Sequence, residues 1–190
     1  MPAVPALPTL PMNKTQQIGQ TALQLFAERG FNQTPTALIA KEAQVSESLI
    51  FKHFGSKNQL LEHIVKSGYQ RITEQNRGMM TETNPQRMLD RIIGLPYQLV
   101  ADERDFWRLQ AQLMDKDFIQ RHYQRFLHPV HELLTAAFCQ LDYEQPQLAA
   151  YHLLILIEGL WKSLIQKDVP TYLPDLKVYI QQQYALPIPG

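Results

Sequence analysis

Cysteine is almost missing: Cys139 is the only one in 190 residues. That excludes an internal disulfide framework and a structural zinc site built from several thiolates, and it suits a reducing, cytoplasmic setting. An excess of either charge is missing too, since 18 Lys plus Arg balance 18 Asp plus Glu. A coat protein that holds nucleic acid by bulk positive charge is thereby excluded, while sequence-specific binding by a small patch stays open. No apolar run reaches the 18 or so residues of a membrane span, because the longest, Leu153 to Trp161, is interrupted by Glu158, and no membrane partner is expected. The first eleven residues carry Pro2, Pro5, Pro8 and Pro11 but no Lys or Arg, so residues 1–12 read as a flexible Pro-rich tail rather than a signal peptide.

Valine is scarce, with 7 residues against 26 Leu and 22 Gln. Leu and Gln lose little rotamer freedom in a helix, so an all-α fold is expected. No Asn-Gly or Asp-Gly turn joins alternating apolar runs, and no repeat of 20 to 50 residues is visible. At 45% apolar residues the chain is rich enough to fold around a core.

Start and stop signals divide the chain into helices. Asn13 with Gln16 three places on caps a first helix that buries Ile18, Ala22, Leu25 and Phe26 and ends at Gly30. Thr34 before Pro35 reads as an N-cap followed by a proline in the first turn, opening a short helix to about Ala43. Ser46 caps a third helix over Glu47 to His53 after only Gln44 and Val45, and two short helices joined so tightly must cross steeply. Ser56 to Gln59 is a capping box opening a fourth helix to about Arg77. A soft boundary is expected at 78–85. Further helices are expected near 85–100, 103–115, 117–141, 146–167 and 172–184, with Pro96 and Pro129 predicted to kink or split two of them.

The third helix carries the sharpest functional signal. With Ile50 and Phe54 inward, four residues apart, Ser48 and Lys52 point away from the core, flanked by Leu49 and Phe51. A helix of this length is about 10 Å long and the major groove of B-DNA about 12 Å wide, so size and polarity both permit DNA. The helix starts at Thr34 to Thr36 and at Ser56 to Lys57 offer N–H groups and a positive dipole end to flanking phosphates.

These residues resemble the tetracycline-repressor-like (TetR) family of transcriptional regulators, whose pattern runs LF…GF, IA..A.VS, then an aromatic, HF and SK..LL. The chain has LFAERGF at 25–31, IAKEAQVS at 39–46 and IFKHFGSKNQLL at 50–61, in the family order and spacing. The resemblance covers about the first 70 residues. It implies an N-terminal three-helix DNA-binding domain (13–57), a connecting helix (58–77) and a C-terminal helical domain (78–190) for effector binding and dimerisation. It also implies a homodimer on a palindromic double-stranded DNA operator, released by a small-molecule effector. Two departures stand out: Ser48-Leu49 replaces the usual Gly-Thr and Phe51 the usual Tyr, removing two hydroxyls that commonly reach phosphates.

The DNA-contact set expected on these grounds is Thr34, Thr36, Ser46, Glu47, Ser48, Leu49, Phe51, Lys52, His53 and Lys57, with Ser48 and Lys52 as base readers and Lys57 on phosphate. Residues 1–75 hold 7 Lys plus Arg against 5 Asp plus Glu, and residues 76–190 hold 11 against 13, a small asymmetry in the matching direction. Candidate effector-pocket residues by chemistry are Tyr97, Phe106, Trp107, Gln110, Met114, Tyr123 and Trp161. The stripe Leu153, Leu154, Ile157, Leu160 and Leu164 is the expected dimer face. Cys139, among Ala136, Ala137 and Phe138, is expected to be a buried thiol, and His152 and Glu158 are weighed as a ligand clamp or as part of the dimer seam. His122, His128, His131 and Glu132 do not form a recognisable metal-ligand spacing, so neither metal nor cofactor is expected. The alternative is a helical enzyme or small-ligand carrier with an incidental helix-turn-helix, but no catalytic pair has a recognisable spacing.

Overall fold

The computed structural model describes residues 13–184; the Pro-rich tail lies outside the described residues. Among the described residues the regular structure is entirely helical. The elements are α1 (Lys14–Arg29), α2 (Thr36–Glu42), α3 (Glu47–Phe54), α4 (Lys57–Gln75), α5 (Pro85–Asp102), α6 (Arg104–Gln112), α7 (Asp117–Gln140), α8 (Pro146–Leu164) and α9 (Leu173–Gln183). A single 3-10 turn at Arg77–Met79 follows α4. The chain divides into two compact units inside α4, the first ending at Ile64 and the second beginning at Val65.

In the first unit the expected caps form. The Asn13 side chain accepts the Gln16 N–H at 2.8 Å while the Gln16 side chain accepts the Asn13 N–H at 3.2 Å, and Gly30, at φ 87°, closes α1. Ser46 Oγ accepts the Leu49 N–H at 3.2 Å, and Ser56 Oγ the Gln59 N–H at 3.1 Å. Ile18, Ala22, Phe26, Ile39, Ile50, Leu60 and Leu61 form its core. The turn between α2 and α3 is a Schellman arrangement: the Val45 N–H donates to Ala40 O at 2.9 Å and the Gln44 N–H to Lys41 O at 3.1 Å. Its left-handed position, usually glycine, is Gln44 at φ 51°.

Thr34 departs from expectation. The cap position of α2 is Pro35, and Thr34 is fully buried, its hydroxyl donating to Gly30 O at 2.8 Å and lying 3.3 Å from Leu25 O. A hydroxyl that ties the end of α1 to the start of α2 is not available to a phosphate.

In the second unit α5, α7 and α8 pack on one another, with α6 and α9 against α5. Helix α6 is held to the second half of α4 by Phe106, whose ring sits where a Cβ on Gly68 would be and meets Tyr69 edge-on at 5.1 Å. Neither Pro96 nor Pro129 splits its helix: α5 and α7 run through them. Pro96 is itself buried in the core, so the packing of its ring offsets the lost hydrogen bond.

Candidate nucleic-acid interface and effector cavity

Helix α3 buries Ile50 and Phe54 and turns Ser48, Phe51, Lys52 and His53 outward. Phe51 is 45% exposed, a large aromatic left in water beside a lysine. Leu49 is half-buried. Ser46 and Ser48 share a hydrogen bond at 2.9 Å, which orients both hydroxyls at the start of the helix. His53 Nδ1 lies 3.4 Å from Thr15 Oγ1 on α1. Thr36 donates from its hydroxyl to the Glu47 carboxylate, joining the first turns of α2 and α3. Thr36 and Glu47 thus brace the two short helices while Ser48, Phe51 and Lys52 form the outer face.

Lys57, expected as a free phosphate contact, has its ammonium 4.4 Å from the centre of the Phe31 ring and 5.9 Å from that of Phe26. Partial burial lowers its pKa from the ordinary lysine value. The aromatic pair places a charge at the start of α4, next to the Ser56 cap. Sequence reasoning missed this arrangement, although Phe26 and Phe31 were both legible as part of the LF…GF motif.

The second unit holds two adjoining spaces. The first is an apolar cavity of about 30 Å³. Ile92, Leu95, Pro96 and Leu99 of α5, Trp107 of α6, Tyr123, Phe126, Leu127 and Val130 of α7, and Leu154, Ile157 and Trp161 of α8 line it. Of the expected pocket residues, Trp107, Tyr123 and Trp161 meet here. Trp161 Nε1 donates to the Tyr123 hydroxyl at 3.1 Å, and burial pushes the Tyr123 pKa up to about 12. Two buried donors on α6 lack an acceptor among the described residues, Nε1 of Trp107 in the cavity wall and Nε2 of Gln110 outside it. Each such group costs about 1–3 kcal/mol.

Four expected pocket residues lie elsewhere. Tyr97 donates its hydroxyl to Leu173 O at 2.6 Å. Phe106 packs on Gly68 and Tyr69. Gln110 is buried and accepts from the Tyr69 hydroxyl at 2.9 Å. Met114, half-buried, lies just beyond α6 and is not part of the wall.

The second space is an open groove of about 350 Å³ between the C-terminal half of α4 and α7, lined by Tyr69, Gln70, Thr73, Glu74, Arg77, His122, Arg125 and Phe126. Phe126 belongs to both walls.

Helix α8 is rotated relative to the stripe read from sequence. Leu153, Ile157 and Leu160 are buried in the unit's own core and Leu154 and Ile157 line the cavity. Leu164 is half-buried. The open face carries Leu148, Tyr151 and Ile155, 62%, 61% and 53% exposed, with Gly159 continuing the line. Both sets have helical spacing, and only packing distinguishes them. Cys139 is exposed, not buried, because it falls on the outer side of α7. Glu158 pairs with Lys162 at 2.6 Å and His152 Nδ1 lies 3.1 Å from the Tyr184 hydroxyl, so neither reaches the cavity. The described residues hold no group of three or more His, Cys, Asp or Glu arranged to hold a metal, and no described helix is long and apolar enough to cross a membrane.

The profile described as "Bacterial regulatory proteins, tetR family" matches residues 18–64, which take in most of α1, all of α2 and α3, and the start of α4. The nucleoid occlusion factor SlmA of Haemophilus influenzae (strain PittGG) is 30% identical over 161 residues, covering 76% of this chain and 71% of SlmA. The chain belongs to the TetR family. The HTH-type transcriptional regulator YuxN of Bacillus subtilis (strain 168) is 29% identical over 100 residues, 52% of this chain, and the match spans 34% of YuxN's own length. Among solved structures, a TetR-like regulator from Rhodococcus sp. RHA1 superposes with a TM-score of 0.74 at 22% identity, covering 93% of this chain and 99% of that one. The TetR fold therefore extends over the second unit, where the sequence pattern is silent.

Proposed function

We propose that the protein is a sequence-specific DNA-binding transcriptional regulator, a repressor released from its operator by a small effector. The observation that carries this reading is the exposed face of α3, where Ser48, Phe51 and Lys52 stand outward while Ile50 and Phe54 anchor the helix. At eight residues, α3 spans about 12 Å and fits the major groove. Lys52 and Ser48 reach base edges or phosphates, Phe51 and Leu49 contact thymine methyls, and Lys57 at the start of α4 adds a phosphate contact.

The active form is a homodimer. The exposed apolar line Leu148, Tyr151, Ile155 on α8, with Gly159 allowing close approach, supports self-association through this face. A two-fold dimer presents two α3 helices to half-sites one turn of duplex apart, about 34 Å. The cavity beneath Trp107, Tyr123 and Trp161 is the effector site. An effector that binds better to one arrangement of the dimer shifts the population away from the DNA-competent one. Helix α4 belongs to both units and is the covalent route for that coupling.

Selection of binding sites from random duplex DNA tests the reading. A palindrome with half-sites 10 to 10.5 base pairs apart is expected; recovery of no enriched sequence defeats it. On the selected operator, Lys52→Ala lowers affinity and reduces the salt slope by about 0.9 per protomer, with helical content unchanged.

A further inference from the structure

Resting on the reading of the second unit as an effector domain, we propose that the effector is an amphipathic anion: an apolar chain or ring in the cavity, with a negatively charged head on Arg77 and Arg125. Phe126, half-buried, is common to the walls of the cavity and the groove. The two spaces differ in chemistry. The cavity is walled by aliphatic and aromatic side chains, so its occupant must be apolar. The groove has Arg77 at its α4 end and Arg125 on α7, and among the described residues neither guanidinium forms a hydrogen bond or an ion pair. Two guanidiniums facing one groove form a site for a carboxylate or phosphate.

The remaining charged and polar groups of the wall do not cancel the two guanidiniums. Glu74 also lines the groove and accepts from the Gln70 amide at 3.0 Å; its carboxylate offsets one of the two guanidinium charges and leaves the wall with an excess of one positive charge. His122 and Tyr69 are the other titratable groups in the wall, and their rings stack with centroids 6.4 Å apart. Trp107 in the cavity wall and Gln110, bonded to Tyr69 of the groove wall, sit three apart on α6 with buried donors that lack acceptors among the described residues. An oxygen close to the ligand's head, such as the carbonyl of a carboxylate or thioester, would satisfy that demand. A cavity of about 30 Å³ does not hold a long chain as it stands. Entry therefore requires the Phe126 ring to rotate out of the shared wall, joining the cavity to the groove of about 350 Å³.

Both tryptophans of the chain, Trp107 and Trp161, line this cavity, so intrinsic fluorescence of the full chain reads its occupancy without DNA. The probes are sodium dodecanoate and dodecanoyl-coenzyme A, each below its micelle concentration, and 1-dodecanol below its solubility limit. A saturable emission change is expected with at least one of the anions, at concentrations at least tenfold below dodecanol. Shorter homologous acids should lose roughly fourfold per methylene. The exposed pair Arg77→Ala/Arg125→Ala should weaken the anion at least tenfold and leave the alcohol unchanged, and Arg77→Lys/Arg125→Lys should recover much of the loss. The acid and its thioester discriminate a free carboxylate from a phosphorylated carrier as the source of the head group. Equal affinity for anion and alcohol, an anion affinity untouched by the double alanine variant, or no saturable change with either anion would overturn the proposal. A chain that binds dodecanoate but selects no duplex keeps this inference and loses the regulator reading. Selection of a duplex without anion binding has the opposite effect.

Discussion

The Thr36 hydroxyl donates to the Glu47 carboxylate, locking the first turn of α2 to the first turn of α3. Two helices of seven and eight residues have little stability of their own, so their mutual angle depends on such ties. Glu47→Ala is expected to lower the unfolding free energy by about 1 kcal/mol in urea denaturation. Glu47→Gln, which keeps an acceptor oxygen, should recover most of it. An unchanged midpoint in Glu47→Ala would show that the tie carries no weight.

Thr34 and Thr36 are close in sequence and opposite in role. Thr34→Val removes a buried hydroxyl that serves carbonyls of Gly30 and Leu25, and a loss of about 1–2 kcal/mol in stability is expected. Operator affinity, measured well below the melting temperature, should stay within twofold of the parent. A large affinity loss at full stability would return Thr34 to the DNA surface.

Gln44 occupies a left-handed backbone position at the corner of the helix-turn-helix. Gln44→Gly relieves that conformation, and a gain of about 1 kcal/mol is expected, seen as a rise in melting temperature. Glycine at a helix-interior position would do the reverse.

Ile155 stands on the open face of α8 while Leu153, two residues away, is buried. Ile155→Asp is expected to give folded monomers in sedimentation analysis, with helical content retained and operator affinity reduced at least tenfold. A dimer that survives this change places the subunit contact elsewhere.

Much of the first unit was legible because its signals are local. Asn13, Gly30, Ser46 and Ser56 act within a few residues of themselves, and the caps fall where those side chains stand. Thr34 misled because a threonine before proline has the same sequence whether its hydroxyl caps the next helix or turns back on the previous one. The second unit was less legible. Its helices could be counted, but Leu153 and Ile155 are both apolar and both fit a helical stripe, and only the positions of α5 and α7 decide which is inside. Trp107, Tyr123 and Trp161 were found by chemistry alone. Arg77, Arg125 and Phe126 were not, because they come from α7 and the turn after α4 and share a wall only after folding.

The lone exposed thiol of Cys139 on α7 gives the chain a single chemical handle without further engineering. A spin label attached there would appear once per subunit, and in a symmetric pair it would yield one distance, whose change on adding a ligand measures the rearrangement directly.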